Sequence, residues 1–432
     1  MKFYSDRNSN LRVDFRTAVL EGLASDGGLF MPEEIPELDK SFFQYLSKTS
    51  ITEIAKTVLT SYVSENISNA ELELIIEKTF SFPAPVVKLS EHLGILELFH
   101  GPTLAFKDFG ARFMANVMSF FIQQEKKELN ILVATSGDTG SAVAHGFYGV
   151  EGIKVYLLYP SGKVSKIQEM QLTTLDKNII ALEIDGTFDD CQRLVKQAFT
   201  DNDLRNKIPM SSANSINISR LLPQTIYYFE AVKQTGNENK IVFSVPSGNL
   251  GNLTAGLIAK KMGLPVEKFI AATNQNDIFT KYLNEGIFNP RASIKTYSNA
   301  MDVGNPSNLS RIDSIYKKML NLMRENIYSV SFNDEQTIEG IKELHNKYGY
   351  LIDPHGSIGY LAYKNWIKNN NEKNYEGIIL ETAHPSKFSD VIEEHIGIIP
   401  KMPERLSKCL SMQKKSIKLS GKYDEFKLYL LQ

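Results

Sequence analysis

The stretch Ile241-Val242-Phe243-Ser244-Val245-Pro246-Ser247-Gly248-Asn249-Leu250-Gly251-Asn252-Leu253 decides the fold. A short β-branched apolar run ends in a polar turn with two glycines, and a helical pattern begins near Leu253. Other strand-length apolar runs lie at 131–134, 153–159, 179–184, 269–273 and 377–382. Helical patterns at 109–124, 189–200, 218–234 and 252–262 lie between or beside them. Strands alternating with helices predict an α/β protein with parallel sheets covered by helices on both faces. The number of runs predicts two open sheets rather than one.

The 432 residues are too many for one ordinary core and point to two or three domains. Charge is balanced, 48 basic residues against 50 acidic, so nothing drives the chain in bulk toward nucleic acid or a membrane. Two distant cysteines, Cys191 and Cys409, argue against a disulfide framework and fit a cytoplasmic protein. The seven histidines show no HExxH or paired spacing, so no metal site is expected. No signal peptide or apolar stretch of membrane-spanning length is read. Residues 1–78 read as mostly helical, with a turn cluster at Asp26-Gly27-Gly28, and Phe82-Pro83-Ala84-Pro85 marks a boundary. The basic run near 414 reads as surface.

Several motifs fall where strands give way to helices, the usual ligand edge of an open α/β sheet. At Ser247, Gly248, Asn249, Leu250, Gly251 and Asn252, two glycines let the backbone approach an anion, and the helix start offers N–H groups to it. A plain strand–helix turn would look the same. Thr135-Ser136-Gly137-Asp138-Thr139-Gly140-Ser141 offers hydroxyls and amides suited to a carboxylate, or a helix cap. Ser215, Asn217 and Arg220 precede a helix and could grip a phosphate, although a buried structural arginine fits equally. In Glu381-Thr382-Ala383-His384-Pro385-Ser386-Lys387, the Thr382 hydroxyl could meet a ring nitrogen, while His384 reads as a packing residue. Lys107, in His100-Gly101-Pro102-Thr103-Leu104-Ala105-Phe106-Lys107-Asp108-Phe109-Gly110, sits after small and apolar residues. Desolvation there would lower its pKa and make its amine available for a Schiff base.

Taken in order, these motifs resemble the threonine synthases, pyridoxal-phosphate enzymes of fold type II. So do Gly22-Leu23-Ala24-Ser25-Asp26-Gly27-Gly28-Leu29, Pro160-Ser161-Gly162-Lys163-Val164-Ser165 and Asn299-Ala300-Met301-Asp302-Val303-Gly304-Asn305-Pro306-Ser307-Asn308. The resemblance runs from about residue 3 to 390 and is to the longer-chain bacterial and fungal type. It implies two open twisted sheets with pyridoxal 5'-phosphate between them. It also implies a helical N-terminal region at 1–78, a catalytic core at 79–390 with a smaller subdomain at roughly 108–210, and an extension at 391–432 packed on the core. By the same resemblance Lys107 is the Schiff-base lysine and Ser247 to Asn252 bind the cofactor phosphate. Thr382 meets the pyridine nitrogen, Ser136, Asp138 and Thr139 face the substrate carboxylate, and Ser215, Asn217 and Arg220 face its phosphate. Because a fixed charge on Asp138 would repel a carboxylate, Asp138 is expected to act through its backbone N–H or to face away.

The implied reaction converts O-phospho-L-homoserine and water to L-threonine and phosphate in the cytoplasm, by a monomer or homodimer with no nucleic-acid or membrane partner. A related phospho-lyase that adds no water, or an inactive binding module on the same fold, are the competing readings.

Overall fold

The computed structural model describes residues 1–125, 128–135, 137–235, 240–370 and 374–432. The N-terminal region is helical in its second half, with helices Ile51–Val63 and Asn69–Thr79 each begun by a serine capping box. Its first part holds a small antiparallel sheet that periodicity did not predict, formed by β1 (Phe3–Ser5), β2 (Arg12–Val13) and β3 (Phe30–Pro32). These strands are two or three residues long, too short to show alternation.

The rest follows in chain order as β4 (Val86–Ser90), β5 (Leu93–Glu97), β6 (Leu129–Ala134), β7 (Ile153–Pro160), β8 (Ile179–Asp185), β9 (Met210–Ser212), β10 (Lys240–Pro246), β11 (Lys268–Thr273), β12 (Ile327–Ser331), β13 (Tyr375–Glu381) and β14 (Ile417–Ser420). The larger sheet has the order β12-β11-β10-β13-β5-β4, parallel except for β4 at one edge. The smaller is fully parallel, β14-β8-β7-β6-β9. Every residue of β6 and β13 is buried, as expected of parallel strands covered on both faces.

Two differences from the sequence reading have plain causes. The 218–234 pattern is broken into Ile218–Leu221, a 3-10 turn at Leu222–Gln224 and Thr225–Gln234, because Pro223 has no N–H for a continuous helix. The C-terminal tail adds an edge strand, with Ile417 opposite Leu182, and Lys414 behind it reaches Glu169 and Glu183 at 2.7 Å each. One apolar cluster joins Ile54, Val58 and Tyr62 of the N-terminal region to Phe109, Phe113 and Val117 of helix Lys107–Glu125 and to strands of both sheets. Among the described residues, no helix is long and apolar enough to cross a membrane.

Candidate active site

Lys107 is the first residue of helix Lys107–Glu125. The loop that carries it from β5 is zipped to the end of β13. Leu98 N–H donates to Glu381 O at 3.0 Å, Phe106 N–H to Thr382 O at 2.9 Å, and His384 N–H to Leu104 O at 3.1 Å, with a bridge between Ala105 and Ala383. Lys107 therefore follows directly on a backbone bond to Thr382, which is buried. Burial pulls the Lys107 amine down to about 8; Asp138 opposes this, while Lys387 and Arg220 push the same way. The neighbouring Asp108 pins the turn by accepting from Thr103 N–H at 2.8 Å and the Thr103 hydroxyl at 2.7 Å. Burial pushes its carboxyl up to about 6, against those two bonds.

The 247–252 turn leaves β10 and opens helix Gly251–Lys261 through Leu250 at φ 61°, and no side chain caps that helix. Its first N–H groups are thus available to an anion, with the helix dipole behind them. Gly248 is fixed by a wall: a Cβ there would lie 2.7 Å from Met301 Cα and 3.1 Å from Ala300 O. Asn249 ties the turn outward, donating to Ser215 Oγ at 2.6 Å and accepting from Ser307 N–H at 2.6 Å, while Asn308 Nδ2 donates to Asn249 O at 2.9 Å. Asn252 Oδ1 accepts from Tyr227 and Tyr228 at 2.6 and 2.7 Å, which leaves its buried Nδ2 without a protein partner. The 299–308 run therefore walls this turn. From Ala300 N–H a chain continues to His355 Nε2, to Asp353 through His355 Nδ1 at 2.6 Å, and from Asp353 N–H to Glu381 Oε1. It connects the glycine turn to the strand that ends at Thr382.

The second turn follows β6. Ser136 lies outside the described residues. Gly137 takes φ +143°, and Thr135 Oγ1 accepts from Gly137 and Gly140 N–H at 3.0 and 2.8 Å. Asp138 is buried and starts helix Asp138–Phe147, with half-buried Thr139 next. Its carboxylate meets Lys387 Nζ at 2.5 Å and Gln168 Nε2 at 3.1 Å. Burial alone would raise its pKa, but Lys387 and Lys107 overcome that and hold it well below the carboxylate range.

In the third group, Arg220 is buried, donates from Nη1 to Ala213 O at 2.6 Å and leaves Nε without a partner. Burial brings it down to about 10. Gly110 makes room for it, since a Cβ there would lie 2.7 Å from Arg220 O. Asn217 has its side chain engaged within the fold: Nδ2 donates to Val19 O at 2.9 Å, and Oδ1 accepts from Ser219 N–H and Oγ. Ser215 is bonded to the 247–252 turn through Asn249 rather than to Arg220's side of the loop.

Three family comparisons cover this chain. Residues 2–80 match the threonine synthase N terminus, 81–378 the pyridoxal-phosphate dependent enzymes, and 356–429 the threonine synthase C-terminal family. A threonine synthase of Haemophilus influenzae is 44% identical over 100% of both chains. The chain belongs to the threonine synthase family. Threonine synthase structures agree: that of Escherichia coli superposes with TM-score 0.91 at 42% identity, covering 100% of this chain and 99% of that one. The pyridoxal-phosphate-bound threonine synthase of Brucella melitensis gives 0.93 at 33% identity, with the same coverage. Maize serine racemase, at 15% identity and TM-score 0.54, shares the fold alone.

This member of the threonine synthase family is a pyridoxal-phosphate-dependent lyase of threonine biosynthesis, with the fold type II architecture. Its residues fit the cofactor: an uncapped glycine turn, an orphaned Asn252 Nδ2 beside it, and a lysine with lowered basicity zipped to Thr382. Lys387, Gln168, Asp108 and the Tyr227–Tyr228 pair have places in this site that the sequence reading did not assign. Lys387 carried a usable signal, since Ala383-His384-Pro385-Ser386-Lys387-Phe388 sets a lysine among small and apolar residues much as the Lys107 segment does. His384 behaves as a packing residue. Its Nδ1 accepts from Ser386 N–H, its ring meets Phe99 edge-on, and burial lowers it to about 4.

Proposed function

We propose that the chain converts O-phospho-L-homoserine and water to L-threonine and inorganic phosphate, with Lys107 as cofactor anchor and proton carrier. Pyridoxal phosphate, when bound, supplies the electron sink that lets a proton leave the substrate Cα. The N–H groups from Gly248 to Asn252 would hold the cofactor phosphate, with Ser247 at the strand end, and Thr382 would meet the ring nitrogen. Lys107, pulled down to about 8, has a usable neutral fraction near neutral pH and can take the Cα proton at Nζ. A proton then leaves Cβ and phosphate leaves Cγ, Cγ takes up a proton to become the methyl group, water adds at Cβ, and Lys107 Nζ returns a proton to Cα. Arg220, whose Nε has no protein partner, is the cation placed to stabilise the departing phosphate. Thr139 and the backbone at Asp138 would bind the substrate carboxylate, together with Ser136, which lies outside the described residues. Ser215 braces the glycine turn through Asn249, and Asn217 caps the short helix that carries Arg220.

The observation that supports this reading is the Phe106 N–H to Thr382 O bond, which holds the backbone just before Lys107 against Thr382. A monomer or homodimer is taken as the acting unit. Unpaired Cys191 and Cys409 support a cytoplasmic setting.

The test is to feed O-phospho-L-homoserine to the cofactor-loaded protein and assay threonine and phosphate together. Equal amounts of both are expected, and Lys107→Arg should abolish turnover, because guanidinium stays protonated and cannot join the cofactor. Phosphate with a 2-oxo acid and no threonine would replace this reading with that of an eliminating phospho-lyase.

A further inference from the structure

Lys387 is a lysine with no solvent-exposed side-chain surface, far along the chain from the groups it touches. Its Nζ lies 2.5 Å from Asp138 Oδ1 and donates to Thr103 O at 3.1 Å. It therefore joins the segment after Thr382, the loop that leads to Lys107 and the helix that opens the carboxylate turn. Gln168 completes the arrangement by donating to the same Asp138 oxygen at 3.1 Å, and its side chain crosses the space that a Cβ on Gly137 would fill.

Among the described residues, these charged and titratable groups face this point. Lys107 faces Asp138, Lys387 and Arg220. Asp138 faces Lys387, Lys107 and His355. Lys387 in turn lies within electrostatic reach of Asp108, His145 and His384 as well as Asp138. An anionic Asp138 left alone in a turn built for a carboxylate would repel it, and a buried unpaired charge is costly. Lys387 is the group that cancels it directly.

We propose that Lys387 is a positioning residue of the reaction: it clamps the Asp138 carboxylate, so that the turn presents no net negative charge to the substrate carboxylate and Lys107 sits between balanced charges. The proposal rests on the reading of Lys107 as the amine that joins the cofactor. Removal of Lys387 leaves Asp138 as an uncancelled anion beside Lys107, which favours the protonated nitrogen. Removal of Asp138 leaves an uncancelled cation and disfavours it.

The experiment titrates the visible absorbance of the cofactor-loaded enzyme against pH. In Lys387→Met the midpoint should rise by about one pH unit or more, and in Asp138→Asn it should fall by a similar amount, the usual effect of one charge at close range. The double variant and Lys387→Arg should both return to within about half a unit of the unaltered enzyme, because each restores balance. KM for O-phospho-L-homoserine should rise about tenfold or more in Lys387→Met, since a like charge of this kind weighs that much in an equilibrium. If Lys387→Met does not fold, Asp138→Asn and Lys387→Arg carry the test. A midpoint that stays put or moves the opposite way in Lys387→Met or Asp138→Asn overturns the proposal. Lys107→Ala should lose the visible band altogether. Its persistence there would overturn the Lys107 reading and the proposal together, whereas its loss combined with unshifted midpoints overturns the proposal alone.

Discussion

The turns at 247–252 and 135–140 share a plan: a buried parallel strand ends, the chain passes through glycine, and a helix opens with no side-chain cap from its N-cap residue. They are held in place by different means. Around the first, the immediate partners are neutral: the Met301 and Ala300 backbone against Gly248, Ser215, Ser307 and Asn308 around Asn249, and two tyrosines on Asn252. Around the second, the partners of Asp138 are a buried ammonium and an amide, and Gly137 adopts a conformation open to glycine alone. A wall of neutral partners gives a fixed array of N–H groups with no charge set against them, which suits a group held permanently. A wall of paired charge can be rebalanced, which suits an anion that comes and goes.

The largest effect should come from attacking the neutral wall. In Gly248→Ala the new methyl would sit 2.7 Å from Met301 Cα, and backbone cannot step aside as a side-chain tip can. Overpacking of this kind costs about 1–3 kcal/mol, so cofactor affinity should fall about 10- to 100-fold in an absorbance titration. Unchanged affinity would mean that the wall yields and that the two turns are not different in kind.

A smaller effect is expected from Gly137→Ala. The φ of +143° is strained for any L side chain, but the nearest obstacle, Gln168 Cδ at 2.5 Å, belongs to a flexible chain. Strain of about 1–3 kcal/mol, partly relieved by movement of Gln168, should raise KM for O-phospho-L-homoserine about threefold to tenfold. Cofactor affinity should stay within about twofold, because the change is local to the other turn. Equal losses in both quantities would erase the distinction.

The smallest effect concerns acid. Asp138 has a folded pKa held below its ordinary value, so the stability it contributes is complete above the unfolded value of about 3.9 and is lost as pH falls through the folded one. The 247–252 turn contains no ionisable side chain. Hydrogen exchange corrected for intrinsic rate should therefore quicken more in helix Asp138–Phe147 than in Gly251–Lys261 between about pH 5 and 3. Greater loss in Gly251–Lys261 would break the comparison.

Much of this was legible in the chain because it is local. The runs at 131–134, 153–159, 179–184, 241–245, 269–273 and 377–382 all became strands, since a strand buried on both faces writes itself as a continuous apolar run. Leu93–Glu97 was missed although its first four residues are buried, because Gly94 and Glu97 cut its apolar run short, and the other missed strands lack that signature. Met210–Ser212 is only three residues long, while Ile327–Ser331 and Ile417–Ser420 are edge strands with partly exposed residues. Of the candidate residues, Ser215 and Asn217 were legible as polar groups before a helix. Asn217 caps its own helix through Ser219, a local bond, but that Ser215 would brace the glycine turn through Asn249 and that Asn217 would also reach Val19 depended on partners elsewhere.

By itself the sequence determined the alternation of strands and helices, the glycine turns at strand ends and the lysine after Leu104-Ala105-Phe106, because hydrogen-bond periodicity and turn chemistry act over a few residues. Only the tertiary structure decided which charges meet. Lys107 and Lys387 stand in similar local settings, yet one opens a helix against Thr382 and the other is buried on Asp138 and on Thr103, 284 residues away in the chain. Electrostatic pairing depends on distance in space and on the water excluded from it, and neither is written in the neighbours of a residue.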